Sequence, residues 1–404
     1  MNIVFISFID STNIGDLLIA EVIEKELFQT HTVEKFSFNL IPEAKIKNNN
    51  KDILDRSLKK SNKCKNLLKS LYLARFRNLA IIDKAHTINV KRVLDNNPYL
   101  KDLEDAIANC DFLVIGGGNA IFDLTDHSQS SYKFTKIVNL AIQHQKKYFV
   151  TSIGVGPFKT NLQLNSALNI LSGAEKVTVR DKKSYELLKP LGDKVRLSID
   201  PVFLLNSNNK RVNTSSHKTI SICIINLYLN KDNKEKYDKY IYDTVLFVRK
   251  LREENYNVNL FSTEPRDYKS VKEVYDHFHD KEVKLVKVYD KETLLNLYRK
   301  TDLIVGARMH SLIIGLSQEI PVIGLSWQDK VSEMFKIIDA KNDVIEIHEL
   351  GDNIERILIE IRHKLDKSNT IDKLKKLKTQ NHEKFSINKI IFSEIEEDVR
   401  NEQS

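Results

Sequence analysis

A chain of 404 residues with 41% hydrophobic and 29% charged side chains is too long for one ordinary hydrophobic core and has the composition of a globular protein, which points to two domains. Its three cysteines, Cys64, Cys110 and Cys223, lie far apart without paired spacing, which excludes a disulfide framework and argues against a zinc or other metal site. No apolar run reaches the length of about 18 residues needed to span a bilayer, and the opening MNIVFISFID lacks the basic head of an export signal, so the expectation is a cytoplasmic chain that begins with a strand.

In chain order, NIVFISF reads as a strand and Asp16 to Phe28 as the helix that follows. Between Lys45 and Arg77, eleven Lys and Arg residues face only Asp52 and Asp55, which accounts for the formal charge of +8. Within this basic segment, about residues 43–90, CKNLLKSLYLARFRNLAII spaces Leu67, Leu68, Leu71 and Tyr72 at helical intervals among cations. Such a helix packs its apolar side on its own domain, the weightier reading, or lies on an anionic membrane surface. Basic residues interleaved with aromatics in the manner of a nucleic-acid module are missing, so no nucleic acid is expected.

The strands FLVIGGG, KYFVTSIG and KVTVRD are each followed by a helical pattern, starting after Tyr132, over Leu162 to Leu171 and over Ser184 to Leu191. This alternation predicts a parallel sheet covered by helices for residues 1–206. The polar stretch NSNNKRVNTSSHK reads as a linker. A second cycle of strands and helices runs through residues 217–345, from TISICIINLYL to PVIGLSW. Residues 346–404 are charged and helical, with Ile354, Ile357, Leu358 and Ile361 at helical spacing, and are expected to pack across the domains before a frayed end.

In open α/β sheets ligands bind beyond the carboxyl ends of the strands, where loops enter helices. GARMHSLIIGLSQEIPVIGLSWQDK places Arg308 and His310 just past such an end. An Arg fork matches a carboxylate or phosphate, and His exchanges a proton near neutral pH; on spacing alone the pair equally suits helix capping. STNIGD offers Gly15 at another helix start, and GGGNAIFD offers Gly116, Gly117, Gly118 and Asn119 as a wall without side chains. Tight turns under helix packing are the competing account of these glycines. A dinucleotide fingerprint fails, because Ile121 and Lys159 stand where the third glycine is required. Asp200 before Pro201 caps the turn or contacts a ligand, the structural role being the weightier reading, and Lys330 reads as a second cation at a carboxyl end or a solvated lysine.

Taken in order, NIGD, GGGNAIFD, SIGVGPF, VRDKKSYELLKPLG, IDPVFLL and the block around ARMHS resemble the polysaccharide pyruvyl transferase family from about residue 3 to 335. The resemblance implies a GT-B-like α/β fold, two Rossmann-type domains whose parallel sheets face a central cleft. It implies transfer of the enolpyruvyl group of phosphoenolpyruvate onto two hydroxyls of a sugar in a cell-surface polysaccharide or its lipid-linked precursor, with no resident cofactor. Arg308, Lys330 and Arg180 would bind the donor anion, and His310 would be the general acid, assisted by Asp16. Asn13 and Gly15 would face them across the cleft, with Gly117, Gly118, Asn119 and Ser311 among the substrate contacts. A glycosyltransferase using a nucleotide-sugar donor and a non-catalytic glycan-binding relative are the competing readings.

Overall fold

The computed structural model describes residues 1–59, 80–125, 127–128, 131–205, 217–227 and 234–403. The first domain carries strands β1 (Asn2–Ser7), β2 (Thr32–Ser37), β3 (Phe112–Gly116), β4 (Asn119–Asp123), β5 (Tyr148–Phe158), β6 (Val177–Val179) and β7 (Val195–Leu197). They form a parallel sheet in the order β2-β1-β3-β5-β6-β7, with β4 paired to β5 off this path. The strands read as continuous apolar runs because both faces are covered. Ile3 and Phe5 of β1 pack on the helix Ile14–Leu27, whereas Val4 and Ile6 pack on the side of the helices Leu100–Asn109 and Tyr132–Gln143.

The second domain carries β8 (Thr219–Cys223), β9 (Asn257–Phe261), β10 (Val283–Leu285), β11 (Leu303–Gly306), β12 (Val322–Ser326) and β13 (Val344–Glu346), all parallel, in the order β10-β9-β8-β11-β12-β13. This is the doubly wound order, with a crevice at the carboxyl ends where the winding reverses, here between β8 and β11. In the first sheet the reversal falls between β1 and β3. The loops that leave β1 and β11 at these two points, residues 8–13 and 307–308, therefore confront each other.

The carboxyl-terminal helix Lys367–Gln403 does not fray as expected. It runs back across both domains: Lys384 Nζ donates to the Ile337 carbonyl at 3.2 Å, and the ring of Phe392 meets Phe28 edge-on at 5.4 Å. Asn388 is buried in the first domain, where its Oδ1 accepts from the hydroxyls of Thr151 at 3.0 Å and Thr178 at 2.5 Å while its Nδ2 donates to Ser198 Oγ at 2.6 Å. Pairs Lys147–Glu402 and Arg400–Glu396 hold the last turns.

The basic segment divides. Its helix Asn50–Leu58 docks on the second domain, placing Leu54 in that core and Asp55 Oδ1 2.7 Å from Lys287 Nζ, while the helix Ala80–Asp95 packs Leu94 on the first domain. Lys60, Lys63 and Lys65 and the apolar stripe of Leu67, Leu68, Leu71 and Tyr72 lie outside the described residues. Among the described residues no helix is long and apolar enough to cross a membrane.

Candidate active site

The loop after β1 meets the loops after β9 and β11. Asn13 caps the helix Ile14–Leu27, its Oδ1 accepting from the Gly15 amide at 2.9 Å. The first helical amide, Ile14 N, donates across the domain boundary to the Thr263 carbonyl at 3.2 Å. The Thr12 hydroxyl reaches the Glu264 carboxylate at 2.9 and 3.0 Å.

A Cβ built on Gly15 would lie 2.1 Å from Cγ of His310, so the bare Cα receives the imidazole. This corrects the sequence expectation, in which Gly15 opened the backbone to a ligand: the leading amides serve Asn13 and Thr263, and the space over Gly15 belongs to His310. That residue is the second of the helix Met309–Ser317 and only 6% exposed, yet it faces the first domain. Its Nδ1 lies 3.7 Å from Asp16 Oδ1 and its Nε2 3.5 Å from Asp200 Oδ2. The Nε2 contact lacks an aligned hydrogen bond, and Nε2 is a buried atom with no hydrogen-bond partner. Asp16 Oδ2 accepts from Ser11 Oγ at 3.1 Å.

Asp200 does more than cap a turn. Its Oδ1 does accept from the Val202 amide at 3.1 Å, as read from the sequence, but its Oδ2 takes Arg180 Nη1 at 2.6 Å and confronts His310. Burial pushes this carboxyl up, but Arg180 and His310 outweigh it and hold Asp200 down at about 2. Arg180 follows β6 and is 8% exposed. A Cβ on Gly154 would sit 2.8 Å from Asn119 Oδ1 and 3.3 Å from Arg180 Nε, so Gly154 admits both side chains to this corner.

Gly117 and Gly118 have positive φ of 79° and 70°, and a Cβ on them would meet Ile19 at 2.1 Å and Phe8 at 2.5 Å. Packing accounts for both glycines, which corrects the expectation of an open wall there. Ser311 is fully buried and donates to the Arg308 carbonyl at 2.6 Å, so it shapes the helix start and offers no substrate contact.

Arg308 stands at the start of the helix Met309–Ser317 and turns one edge of its guanidinium to Asp267, with Nε at 2.8 Å and Nη2 at 2.7 Å from Oδ2. Burial opposes its charge, but Asp267 more than compensates and raises its pKa further. Asp267 is held in turn by the Asn226 amide and Ser262 Oγ, both at 3.0 Å. Burial pushes the neighbouring Glu264 carboxyl above its ordinary range, against the pull of Arg308 and Thr12. Sequence reasoning missed Asp267 and Glu264; the signal was STEPRD, a Pro turn at a strand end bearing two carboxylates.

The Trp327 ring lies under two cations, 5.9 Å from the Arg308 guanidinium and 5.5 Å from Lys330 Nζ, and its Nε1 is buried without a partner. Desolvation between the domain faces, then Arg308 and Arg180, push the Lys330 ammonium down to about 8, with Asp16 pulling the other way. Lys330 keeps an exposed surface at the cleft mouth, so water offsets part of the desolvation until an occupant covers it. Across the same mouth Lys183 Nζ reaches Asp329 Oδ2 at 2.7 Å.

Arg180, Arg308, Lys330, His310 and Asp16 thus converge from both domains, with Asn13 holding the loop and Asn119 behind Arg180. Among the described residues no group of three His, Cys, Asp or Glu side chains is placed to hold a metal. Two open surface hollows, one lined by Tyr275 and Phe278 and one at the amino ends of β1 and β2, contain none of these residues.

A sequence model described as "Polysaccharide pyruvyl transferase" matches residues 13–329. The comparison with curated proteins gave no match. Among solved structures, a protein described as a UDP-N-acetylglucosamine 2-epimerase from Listeria monocytogenes has a TM-score of 0.52 at 13% identity, covering 92% of this chain and 90% of its own. A Methanocaldococcus jannaschii UDP-GlcNAc 2-epimerase has a TM-score of 0.48 at 14% identity, covering 94% of this chain and 99% of its own. The accessory secretory protein structure from Streptococcus pneumoniae has a TM-score of 0.45 at 13% identity and covers 75% of this chain, which spans 57% of that one. The Listeria likeness concerns the fold alone. Two parallel-sheet α/β domains confronting each other across a cleft make that fold GT-B-like.

Proposed function

The chain belongs to the polysaccharide pyruvyl transferase family, and on that premise we propose that it moves the enolpyruvyl group of phosphoenolpyruvate onto two hydroxyls of one sugar, forming a pyruvate ketal. The observation that carries this reading is the meeting of three cations, Arg180, Arg308 and Lys330, around one imidazole wedged between the domains. Phosphoenolpyruvate carries a carboxylate and a phosphate, so its donor site needs several cations, and the Arg308 edge turned away from Asp267 is a fork for one of these groups. The unpartnered Trp327 Nε1 is a further donor for the same anion.

His310 protonates the methylene carbon, which makes the neighbouring carbon electrophilic toward the first hydroxyl. The second hydroxyl then replaces phosphate at that carbon. Of the two hydroxyl protons, one balances the new methyl group and the other leaves with phosphate. Asp200, anchored by Arg180 and ionised through the physiological range, holds the Nε2 side of the ring; Asp16 on the Nδ1 side relays protons with Ser11. Arginines and the Met309 helix start neutralise the departing phosphate without a resident cofactor or metal.

The acceptor in this reading is a saccharide of a cell-surface polysaccharide or its lipid-linked precursor, met at the cytoplasmic membrane face. The test is phosphate release from phosphoenolpyruvate across glycans and lipid-linked sugars, with His310→Ala alongside. Release by the wild type that the variant loses, with an unchanged fold, is the expected result; full release by the variant refutes the role of His310. Donor activity with nucleotide sugars and none with phosphoenolpyruvate would favour a glycosyltransferase instead.

A further inference from the structure

One polar cluster of the first domain lies outside the donor site. Asn39, just past β2, donates from Nδ2 to Asp10 Oδ2 at 2.6 Å, and its Oδ1 accepts from Lys133 Nζ. Its backbone is fixed from both sides, the amide donating to Ser37 Oγ at 3.1 Å and the carbonyl accepting from Asn97 Nδ2 at 2.8 Å. All three residues are half-buried and open to solvent on one side. Asp10 and Asn39 follow the carboxyl ends of β1 and β2 and Lys133 opens the helix after β4, so the cluster lies at the carboxyl edge of the sheet beside β1, one of the two strands between which the winding reverses. Asp10 is the residue before Ser11, whose hydroxyl bonds Asp16 beside His310, so one turn of chain joins the cluster to the reacting centre.

Folding alone does not explain Lys133. It is the second residue of the helix Tyr132–Gln143, whose start has no side-chain cap and no acidic residue in its first turn. An ammonium there opposes the helix dipole. Burial lowers its pKa, with Asp10 pulling only partly back, and it makes no salt bridge among the described residues. A cation held against both local rules marks a functional position.

We propose that Asp10, Asn39 and Lys133 form the subsite that grips the saccharide acceptor by ring hydroxyls other than the two that receive the pyruvyl group. Asn39 uses both ends of its amide on its neighbours and so fixes their orientation. Asp10 keeps an oxygen for accepting and Lys133 keeps N–H groups for donating. One acceptor beside one donor matches adjacent sugar hydroxyls, each of which does both. One negative and one positive group favour a neutral polyol over a second anion, whereas Arg180, Arg308 and Lys330 favour the anionic donor.

This inference rests on the pyruvyl transfer reading for its acceptor. Its test is saturation-transfer NMR on the full chain with methyl glycosides of glucose, galactose, mannose, N-acetylglucosamine and N-acetylmannosamine as probes, with phosphoenolpyruvate titrated separately. Wild type should show transfer to at least one glycoside, reduced about tenfold in Lys133→Met and in Asn39→Ala, with thermal melts and phosphoenolpyruvate affinity unchanged; Asp10→Asn is the substitute if either variant misfolds. Absence of transfer to every glycoside by the wild type, or equal transfer by the variants, overturns the subsite. Lys133-dependent glycoside binding in a protein that ignores phosphoenolpyruvate would sustain the subsite and sink the pyruvyl transfer reading, so the two failures are distinguishable.

Discussion

Gly15 and His310 occupy complementary halves of one contact: a methyl group on the first would lie 2.1 Å from the ring of the second. The domain boundary is closed there by the absence of a side chain, and the imidazole thereby reaches the Asp16 carboxylate of the opposite domain.

Gly15→Ala should therefore cost turnover, together with about 1–3 kcal/mol of stability because the clash falls on the base of the His310 side chain. Alanine suits a helix better than glycine by roughly 0.5–1 kcal/mol, which offsets part of the clash, whereas displacing His310 by about 1 Å lowers the rate on the order of 100-fold. Phosphate release and a thermal melt measured together check this. Wild-type turnover in the variant would mean that His310 does not work from its docked position.

Asp200→Asn should destabilise the fold by about 3–5 kcal/mol at neutral pH, because Arg180 is left buried beside a neutral amide. The Asp200 pKa in the folded chain, about 2, is below its ordinary 3.8. The unfolded chain therefore binds the proton first as pH falls, so the stabilisation is fully present above about pH 4 and is lost toward pH 2. Urea unfolding at neutral pH and near pH 3 should show a flatter acid limb for the variant than for the wild type.

Donor affinity should depend on the Lys330 ammonium, whose pKa desolvation, Arg308 and Arg180 lower toward about 8, less so while water reaches it. Below that pH the cation is present; above it the KM for phosphoenolpyruvate should climb, approaching about tenfold per pH unit. Lys330→Arg stays charged throughout and should flatten this alkaline limb. An unchanged limb in the variant would show that Lys330 does not meet the donor.

Trp327→Phe keeps a ring beneath Arg308 and Lys330 and removes only the unpartnered Nε1 donor. The expected effect is a rise of about tenfold in the KM for phosphoenolpyruvate with kcat little changed, the loss of one hydrogen bond to a charged group. Steady-state kinetics decide it, and an unaltered KM would leave the indole nitrogen without a ligand role.

Asn388→Ala removes the partner of Thr151, Thr178 and Ser198 at once. Unsatisfied buried hydroxyls cost about 1–3 kcal/mol, so urea unfolding should show a loss of about that size or more. Limited proteolysis should then cut first within Lys367–Gln403, the helix that Asn388 pins; unaltered protection would assign the anchoring to Phe385 and Phe392 instead.

Much of the architecture was legible because the parallel strands are covered on both faces, so NIVFIS, FLVIG and LIVG stand out as unbroken apolar runs against helical spacing. β4 was not legible: Asn119–Asp123 follows three glycines and pairs with β5 through register shifts, which no local period reports. Arg308 and His310 were visible as polar residues at a strand end inside an apolar block. Asp200 looked like a cap, and it is one; its second duty depends on Arg180 and on a histidine from the other domain. Asp267 and Glu264 carried only a turn signal.

The residue types by themselves determined two α/β domains, a switch-point loop in each, and the pairing of an Arg fork with an imidazole, since hydrophobic period and side-chain chemistry are local properties. Only the tertiary structure decided that Gly15 yields its space to His310, that Gly117 and Gly118 serve Ile19 and Phe8, and that Asp10, Asn39 and Lys133 stand together. Those relations join residues far apart in the chain, and contact across a domain boundary is fixed by how whole sheets and helices pack, which no short stretch of sequence encodes.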